Sequence, residues 1–126
     1  MTLKSNHFQR ELRLLTSKDY SHVFQKAFKI NNKAFTLLVR ENNLNHPRIG
    51  LVIAKKNLKL ATKRNQVKRL LRESFRTSSQ EMANYDLVVL TRRDIAQMPK
   101  TDIIRYRDDL MARFIKRCTK TFNTQR

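Results

Sequence analysis

The chain has 126 residues, 40% of them hydrophobic, so it can bury a core of its own and is short for two domains. Its 28 lysines and arginines stand against only 10 aspartates and glutamates, and the formal net charge of +18 favours a polyanionic partner, nucleic acid first of all. One cysteine, one glycine and two prolines exclude an internal disulfide framework, a cysteine cluster for zinc and flexible low-complexity linkers.

No stretch is apolar for long enough to span a membrane, and the first ten residues lack the apolar core of a secretory signal. A single cysteine fits a reducing compartment. We therefore expect a cytoplasmic protein with no membrane partner. Residues 1–126 predict one nucleic-acid-binding domain, with an irregular N-terminal arm over residues 1–13 and a disordered tail over residues 120–126.

The first half of the chain predicts a short helix and three strands. Thr16 and Asp19 match a capping box, which predicts a helix over about residues 17–26. Turn-forming residues and period-two alternation then predict three strands. The third strand is apolar on both faces, which suggests a central position in its sheet. The three strands are expected at about residues 28–30, 34–41 and 48–54.

The second half predicts a helix from about residue 63 to 76, a buried strand over residues 85–91 and a last helix over about residues 101–120, capped by Thr101. A strand, a crossover helix and a strand form a βαβ unit, so the third and fourth strands should be parallel. The order is αβββαβα. The sequence thus predicts an α+β fold, a two-layer sandwich of helices against a small mixed sheet.

The crossover helix has an apolar side and a cationic side. Its buried stripe is Val67, Leu70, Leu71, Ser74 and Phe75. Its basic ridge, predicted to point away from that stripe, is Arg64, Lys68, Arg72 and Arg76, with Asn65 and Arg69 beside it. Like charges four residues apart weaken an isolated helix, so a row of phosphates is the natural partner. Most charge runs are solvated helix faces, but this one contains a single acid, Glu73.

Aromatic residues on the first predicted helix allow two interpretations. Tyr20, Val23, Phe24 and Ala27 share one face, and core packing is the simpler explanation. The alternative is that Tyr20 and Phe24 line an open groove where bases stack.

A catalytic centre made by this chain alone is not expected. A metal-dependent nuclease needs several carboxylates that converge, and the acids here are scattered. The histidines, His7, His22 and His46, fall on an arm, a helix and a loop, and one glycine cannot build a phosphate-binding loop.

Taken together, these segments resemble the protein subunit of bacterial ribonuclease P from about Phe8 to Cys118. The central match is Arg64-Asn65-x-x-Lys68-Arg69-x-x-Arg72-Glu73, followed by Phe75-Arg76. Upstream matches are Glu11-Leu12-Arg13-Leu14, then Tyr20 and Phe24, then Arg48-Ile49-Gly50-Leu51 and Ala54-Lys55-Lys56. A basic helix alone would be weak evidence, whereas this combination in this order is specific.

The resemblance implies a protein that binds a large catalytic RNA, and a holoenzyme that removes the 5′ leader from precursor tRNA by metal-assisted hydrolysis. It implies that the RNA carries the catalytic centre and requires magnesium, and that the protein has no catalytic residue. Tyr20 and Phe24 would bind the leader. The residues implied to bind the RNA subunit are Lys55, Lys56, Arg64, Asn65, Lys68, Arg69, Arg72 and Arg76.

The resemblance also implies a left-handed βαβ crossover, as in the second domain of ribosomal protein S5, against the usual right-handed rule. Two features depart from the family pattern: residues 57–63 contain no glycine, and Leu38 stands where some members have a third aromatic residue. A general or ribosomal RNA-binding protein and a self-sufficient nuclease are the rival interpretations.

Overall fold

A computed structural model of the protein describes residue 13 and residues 16–42, 44, 46–78 and 84–124, with side chains up to residue 118. The order of its helices and strands confirms the predicted αβββαβα. These are α1 Ser17–Gln25, β1 Phe28–Asn31, β2 Phe35–Glu41, β3 Arg48–Val52, α2 Ala61–Thr77, β4 Tyr85–Thr91 and α3 Lys100–Thr124. No helix in the described part of the chain is both long and apolar enough to cross a membrane.

The capping box of α1 is present as predicted: the Asp19 amide donates to the Thr16 hydroxyl, and the Thr16 amide donates to the Asp19 carboxylate. Thr101 as the cap of α3 was wrong. The helix begins one residue earlier, and the carbonyl oxygen of Pro99 accepts its first amide hydrogen bonds. Helix α3 also continues to Thr124, past the predicted end. The predicted arm, apart from Arg13, and the last two residues of the predicted tail lie outside the described residues.

The four strands form one mixed sheet in the order β1-β2-β4-β3. Strands β1 and β2, and β2 and β4, are antiparallel, whereas β3 and β4 are parallel as the βαβ pattern predicted. The central position expected for β3 was wrong, because among the named strands it pairs only with β4. Strand β3 is apolar on both faces because both are covered although it lies at the edge of the sheet: Tyr20 of α1 lies on Gly50, and Ile49 and Leu51 pack into the main core. Outside it, Arg13 forms an isolated bridge to Ile49.

Helices α2 and α3 cover one face of the sheet and form the main core with it. The buried stripe of α2 is confirmed at Val67, Leu71 and Phe75, each 0% exposed, while Leu70 and Ser74 are partly buried. A five-residue 3-10 helix, Arg93–Gln97, precedes α3 and was not predicted. The sheet and α3 complete this core with Phe35, Leu37, Val39, Ile49, Leu87, Val89, Ile103, Leu110 and Phe114.

Helix α1 lies on the opposite face, over a smaller cluster in which Val23 packs on Val88. The ring of Tyr20 lies directly on Gly50, the one glycine of the chain: a Cβ at that position would be 2.6 Å from Cζ of the ring, well inside van der Waals contact. Glycine is required there because a helix approaches the strand this closely.

An ion-pair network holds α1 to the sheet. Arg48 of β3 binds the fully buried Asp86 of β4 through two hydrogen bonds of 2.9 and 2.7 Å, which raise the pKa of Arg48. The same guanidinium lies 3.5 Å from Asp19 of α1. Asn42 donates a further 2.9 Å hydrogen bond to Asp86. The network therefore fixes where α1 crosses the sheet.

We predict that Arg48→Met lowers the free energy of unfolding by about 3 kcal/mol, because it leaves the buried carboxylate of Asp86 without its cation. The control is Arg105→Met, since Arg105 makes an exposed ion pair with Asp102 and its loss should cost no more than about 0.5 kcal/mol. Urea unfolding measures both. Equal, small losses in the two variants would show that the network does not stabilise the fold.

Candidate nucleic-acid interface

The loop between β3 and α2 presents lysines to solvent because its inner side is fixed to the sheet. The side-chain amide of Asn57 donates to the carbonyl oxygen of Thr91 at 3.0 Å, and Leu58 is buried. Lys55 and Lys56 are exposed. Helix α2 then begins without an acidic residue in its first turn, where the helix dipole favours an anion. This is the kind of helix start that binds phosphate.

The basic ridge does not point straight away from the core, so that prediction was wrong in part. Arg64, Lys68 and Arg72 are half-buried, and only Arg76 is exposed. Residues four apart advance by about 40° around a helix, so the ridge winds along the border of the buried stripe. Arg64 is directed inward and donates two hydrogen bonds of 2.8 Å to backbone carbonyl oxygens of the preceding loop.

The solvent side of α2 consists instead of the residues beside the ridge. Asn65 and Arg69 are exposed, together with Arg76 near the end of the helix. Among the described residues, no lysine or arginine between positions 55 and 76 forms an ion pair with a carboxylate. Glu73 lies 3.5 Å from Arg107 of α3 instead. The cations of α2 therefore have no carboxylate partner among the described residues.

Arg72 joins the basic ridge to the aromatic residues of α1. Burial lowers the pKa of Arg72, and the nearby charge of Arg13 lowers it further, while Tyr20 acts in the opposite direction. Burial also raises the pKa of Tyr20. The hydrogen bond with the backbone of Leu51 and the charge of Arg72 lower this pKa, but the effect of burial is larger. Tyr20 is thus a neutral phenol on β3, at the edge of the sheet, within electrostatic reach of the Arg72 guanidinium.

Helix α1 covers only part of its face of the sheet and leaves an open strip beside it. Leu38, Val52 and Leu90, from three adjacent strands, are partly buried and form the floor. Phe24, on the helix that covers Val88, is 50% exposed and adds an aromatic ring to this face. This open strip, defined by Phe24 and the three floor residues, is an accessible apolar surface of the kind on which bases stack.

The structure separates the two interpretations of the α1 aromatic residues. Core packing holds for Val23, which is buried, and in part for Tyr20. It is wrong for Phe24, whose exposed ring borders the open strip. Leu38 lies in the floor of the strip, so an aliphatic side chain stands where a further ring would be available for stacking.

A second pair of cations, Arg92 and Arg93, was missed by sequence reasoning. They follow β4 as Lys55 and Lys56 follow β3, and the two strands are parallel, so both pairs lie past the same end of the sheet. Lys56 and Arg93 line an open recess of about 590 Å³ together with Val52 and Leu90, two of the three floor residues of the strip. The sequence did contain a signal for this site: two consecutive cations follow each of the two strands that were predicted to be parallel.

The far end of the strip is polar and preorganised. Arg92 donates to the side chains of Asn31 and Thr36 at 3.2 and 3.3 Å, and the Thr36 hydroxyl donates to Asn31 at 2.7 Å. The open strip is therefore bounded by fixed donors on the β1 side and by the cations of α2 on the β3 side. An anionic single strand with planar bases matches this combination.

The described part of the chain does not bring together side chains for acid–base or metal catalysis. His22 is on α1 and His46 is in the loop before β3, where its ring lies 3.1 Å from the carbonyl oxygen of Pro47. His7 lies outside the described residues. The described side chains contain no group of three His, Cys, Asp or Glu that could hold a metal ion.

Comparison with known proteins gives one consistent family. The family model described as Ribonuclease P matches residues 8–115. The Ribonuclease P protein component of Histophilus somni strain 2336 is 44% identical over 114 residues, which cover 90% of this chain and 96% of that protein. The protein of the same name from Pseudomonas aeruginosa strain LESB58 is 42% identical over 118 residues, 93% of this chain and 87% of that one.

Solved structures agree. The RNase P protein from Thermotoga maritima superposes with a TM-score of 0.71 at 29% identity, over 83% of this chain and 96% of that one. The Staphylococcus aureus RNase P protein gives a TM-score of 0.73 over 80% and 93% of the two chains, and at 24% identity this is a likeness of fold.

We predict that Phe24→Ala weakens binding of a single-stranded RNA by about 1–3 kcal/mol, the contribution of one base stacked on an aromatic ring. Fluorescence anisotropy with a labelled oligonucleotide measures it. Because the ring is half exposed, the free energy of unfolding should fall by no more than about 1 kcal/mol. Leu44→Ala, in the loop between β2 and β3, is the control and should leave binding unchanged. A variant that loses its fold, or binds RNA normally, would restore the core interpretation.

Proposed function

The chain belongs to the ribonuclease P protein family, and from this premise we propose that it is the protein subunit of ribonuclease P, which binds the catalytic RNA and the 5′ leader of precursor tRNA. The holoenzyme cleaves the precursor and leaves the mature 5′ end of the tRNA. The protein acts in the cytoplasm as part of a ribonucleoprotein. Its task is to bind and position RNA, and hydrolysis takes place at the RNA subunit with the magnesium ions that this RNA requires.

One observation supports the proposal: a row of cations on α2, without a carboxylate partner in the described part of the chain, comes close to an open, partly aromatic strip on the sheet at Arg72 and Tyr20. The cations suit a folded RNA, whose phosphates are closely spaced. The strip suits a strand without base pairs, whose bases are free to stack. Precursor tRNA presented by a large RNA has both parts, and they join at the site of cleavage.

The residues divide accordingly. Tyr20 and Phe24 hold the leader, with Leu38 below them contributing apolar surface but no ring. Arg64 acts indirectly, since its hydrogen bonds fix the loop that carries the exposed lysines. The side chains that contact the RNA subunit are Lys55, Lys56, Asn65, Lys68, Arg69, Arg72 and Arg76.

Leader binding explains how such a protein favours precursor over mature tRNA, because only the precursor has a strand to lie in the open strip. Its cations also reduce the repulsion between RNA phosphates, which magnesium would otherwise have to screen. The two effects are separable, since the first depends on α1 and the sheet and the second on α2 and its loop.

Two other functions share some of these features. A general or ribosomal RNA-binding protein would have the same excess of cations but no effect on cleavage. A self-sufficient nuclease would cleave precursor tRNA without an RNA subunit, and it would need a cluster of catalytic groups, which the described residues do not form.

We predict that the protein restores cleavage of precursor tRNA by ribonuclease P RNA at a magnesium concentration too low for the RNA alone. Gel analysis of the released leader measures the rate. Arg69→Ala should lower the restored rate, since Arg69 is exposed on the RNA side of α2, while Arg105→Ala on α3 serves as the charge-matched control. The rival RNA-binding function predicts no gain in cleavage, and the nuclease predicts product in the absence of the RNA subunit.

A further inference from the structure

A cleft beside α3 lies at the other end of the sheet from the open strip. It has a volume of about 630 Å³ and is bordered by the start of β1, the end of β2, the start of β4 and the second half of α3. Tyr85 at its base and Leu90 in the strip are five residues apart on β4, which is roughly 17 Å along a strand. On β2 the two sites are close, since Val39 of the cleft follows Leu38 of the strip, but they share no lining residue, so the cleft needs its own explanation.

The border of this α3 cleft is cationic. Lys26, Arg40 and Arg117 line it, and Glu41 is the one acid among its lining residues. Arg40 is held by a hydrogen bond to the carbonyl oxygen of His22, whereas Lys26 and Arg117 are exposed and form no ion pair within the described residues. The cleft thus presents unpaired positive charge beside an apolar interior.

Arg117 has a fixed and unusual position. Its Cζ lies 3.9 Å from the centre of the Phe28 ring, so the guanidinium rests on the aromatic face at van der Waals distance. A guanidinium held in this way presents a flat cationic surface to the cleft, and nucleobases stack on such surfaces in RNA-binding proteins.

The interior offers neutral hydrogen-bonding groups. Burial raises the pKa of Tyr85 to about 12, and burial also raises the pKa of the Cys118 thiol. Tyr85 is further held by an edge-to-face contact with Phe114, with 5.7 Å between ring centres. At neutral pH the base of the cleft therefore carries a hydroxyl and a thiol, and neither adds negative charge against an incoming phosphate.

We propose that the α3 cleft binds one unpaired nucleotide of the RNA subunit, with its base stacked on the Arg117 guanidinium and its phosphate close to Lys26. A cleft of this size accommodates a small planar ligand with a charged group. The proposal rests on the proposed function for the identity of the RNA. It adds a second RNA contact, on a helix and at an end of the sheet that the family motif does not include.

The single cysteine of the chain provides the test, because Cys118 lines the cleft. The rate of Cys118 alkylation by iodoacetamide is measured on the full-length protein, free and in complex with ribonuclease P RNA. We expect the RNA to slow alkylation of the wild-type protein about fivefold or more, because a stacked base covers the thiol. Arg117→Ala and Phe28→Leu should abolish the protection, and Lys116→Ala should retain it.

Circular dichroism and thermal unfolding confirm that each variant is folded, and Phe28→Leu keeps an apolar side chain at that position if Arg117→Ala alone perturbs α3. A complex that cleaves precursor tRNA normally while Cys118 reacts as fast as in the free protein overturns the cleft proposal alone. Protection that survives in both variants also overturns it, since the shielding would then not depend on stacking. If no complex forms, the proposed function fails as well.

Discussion

The guanidinium of Arg48 is the point on which the interface depends. It joins β3 to the buried carboxylate of β4 and to Asp19 at the start of α1, so it sets the line along which α1 crosses the sheet. Because α1 is only nine residues long, it covers part of that face, and floor residues such as Leu38 and Leu90 are only partly buried in the described structure. The contact between Tyr20 and Gly50 then brings the helix close enough for its aromatic residues to border the exposed floor.

The same network has an electrostatic consequence. Two acids near the interface, Asp19 and Asp86, form ion pairs with Arg48. A third acid, Glu73 of α2, forms an ion pair with Arg107 of α3. The cations of α2 and its loop are left without carboxylate partners in the described structure, at a helix start whose dipole already favours anions. In a chain with a net charge of +18, this repulsion destabilises the free protein, and bound phosphates would relieve it.

Much of this fold could be predicted from the sequence, because local patterns determine it. The Thr16–Asp19 capping box, the stripe at Val67, Leu71 and Phe75 and the parallel pairing of β3 with β4 all follow from spacing. The predictions that were wrong concern features set by residues distant in sequence. An edge strand covered on both faces has the composition of a central one, so β3 was misplaced.

The site shows the same division. The motif residues of α2 were predicted from the sequence, but the direction of Arg64 toward the loop before the helix depends on where that loop lies. Phe24 could be assigned to the open strip only once the length of α1 relative to the sheet was known. Arg92 and Arg93 became relevant through the register of β3 with β4, which brings two cation pairs to one end of the sheet.

The central claim is that the cations of α2 bind RNA phosphates, and the salt dependence of binding tests it most directly. The measurement is the slope of log Kobs against log salt concentration for the RNA subunit, with the wild-type protein and with Lys68→Ala, Arg72→Ala. Each phosphate contact contributes about 0.7 to 0.9 to the slope, so the double variant should lose about 1.4 to 1.8. An unchanged slope and affinity would show that these side chains are only a solvated helix face.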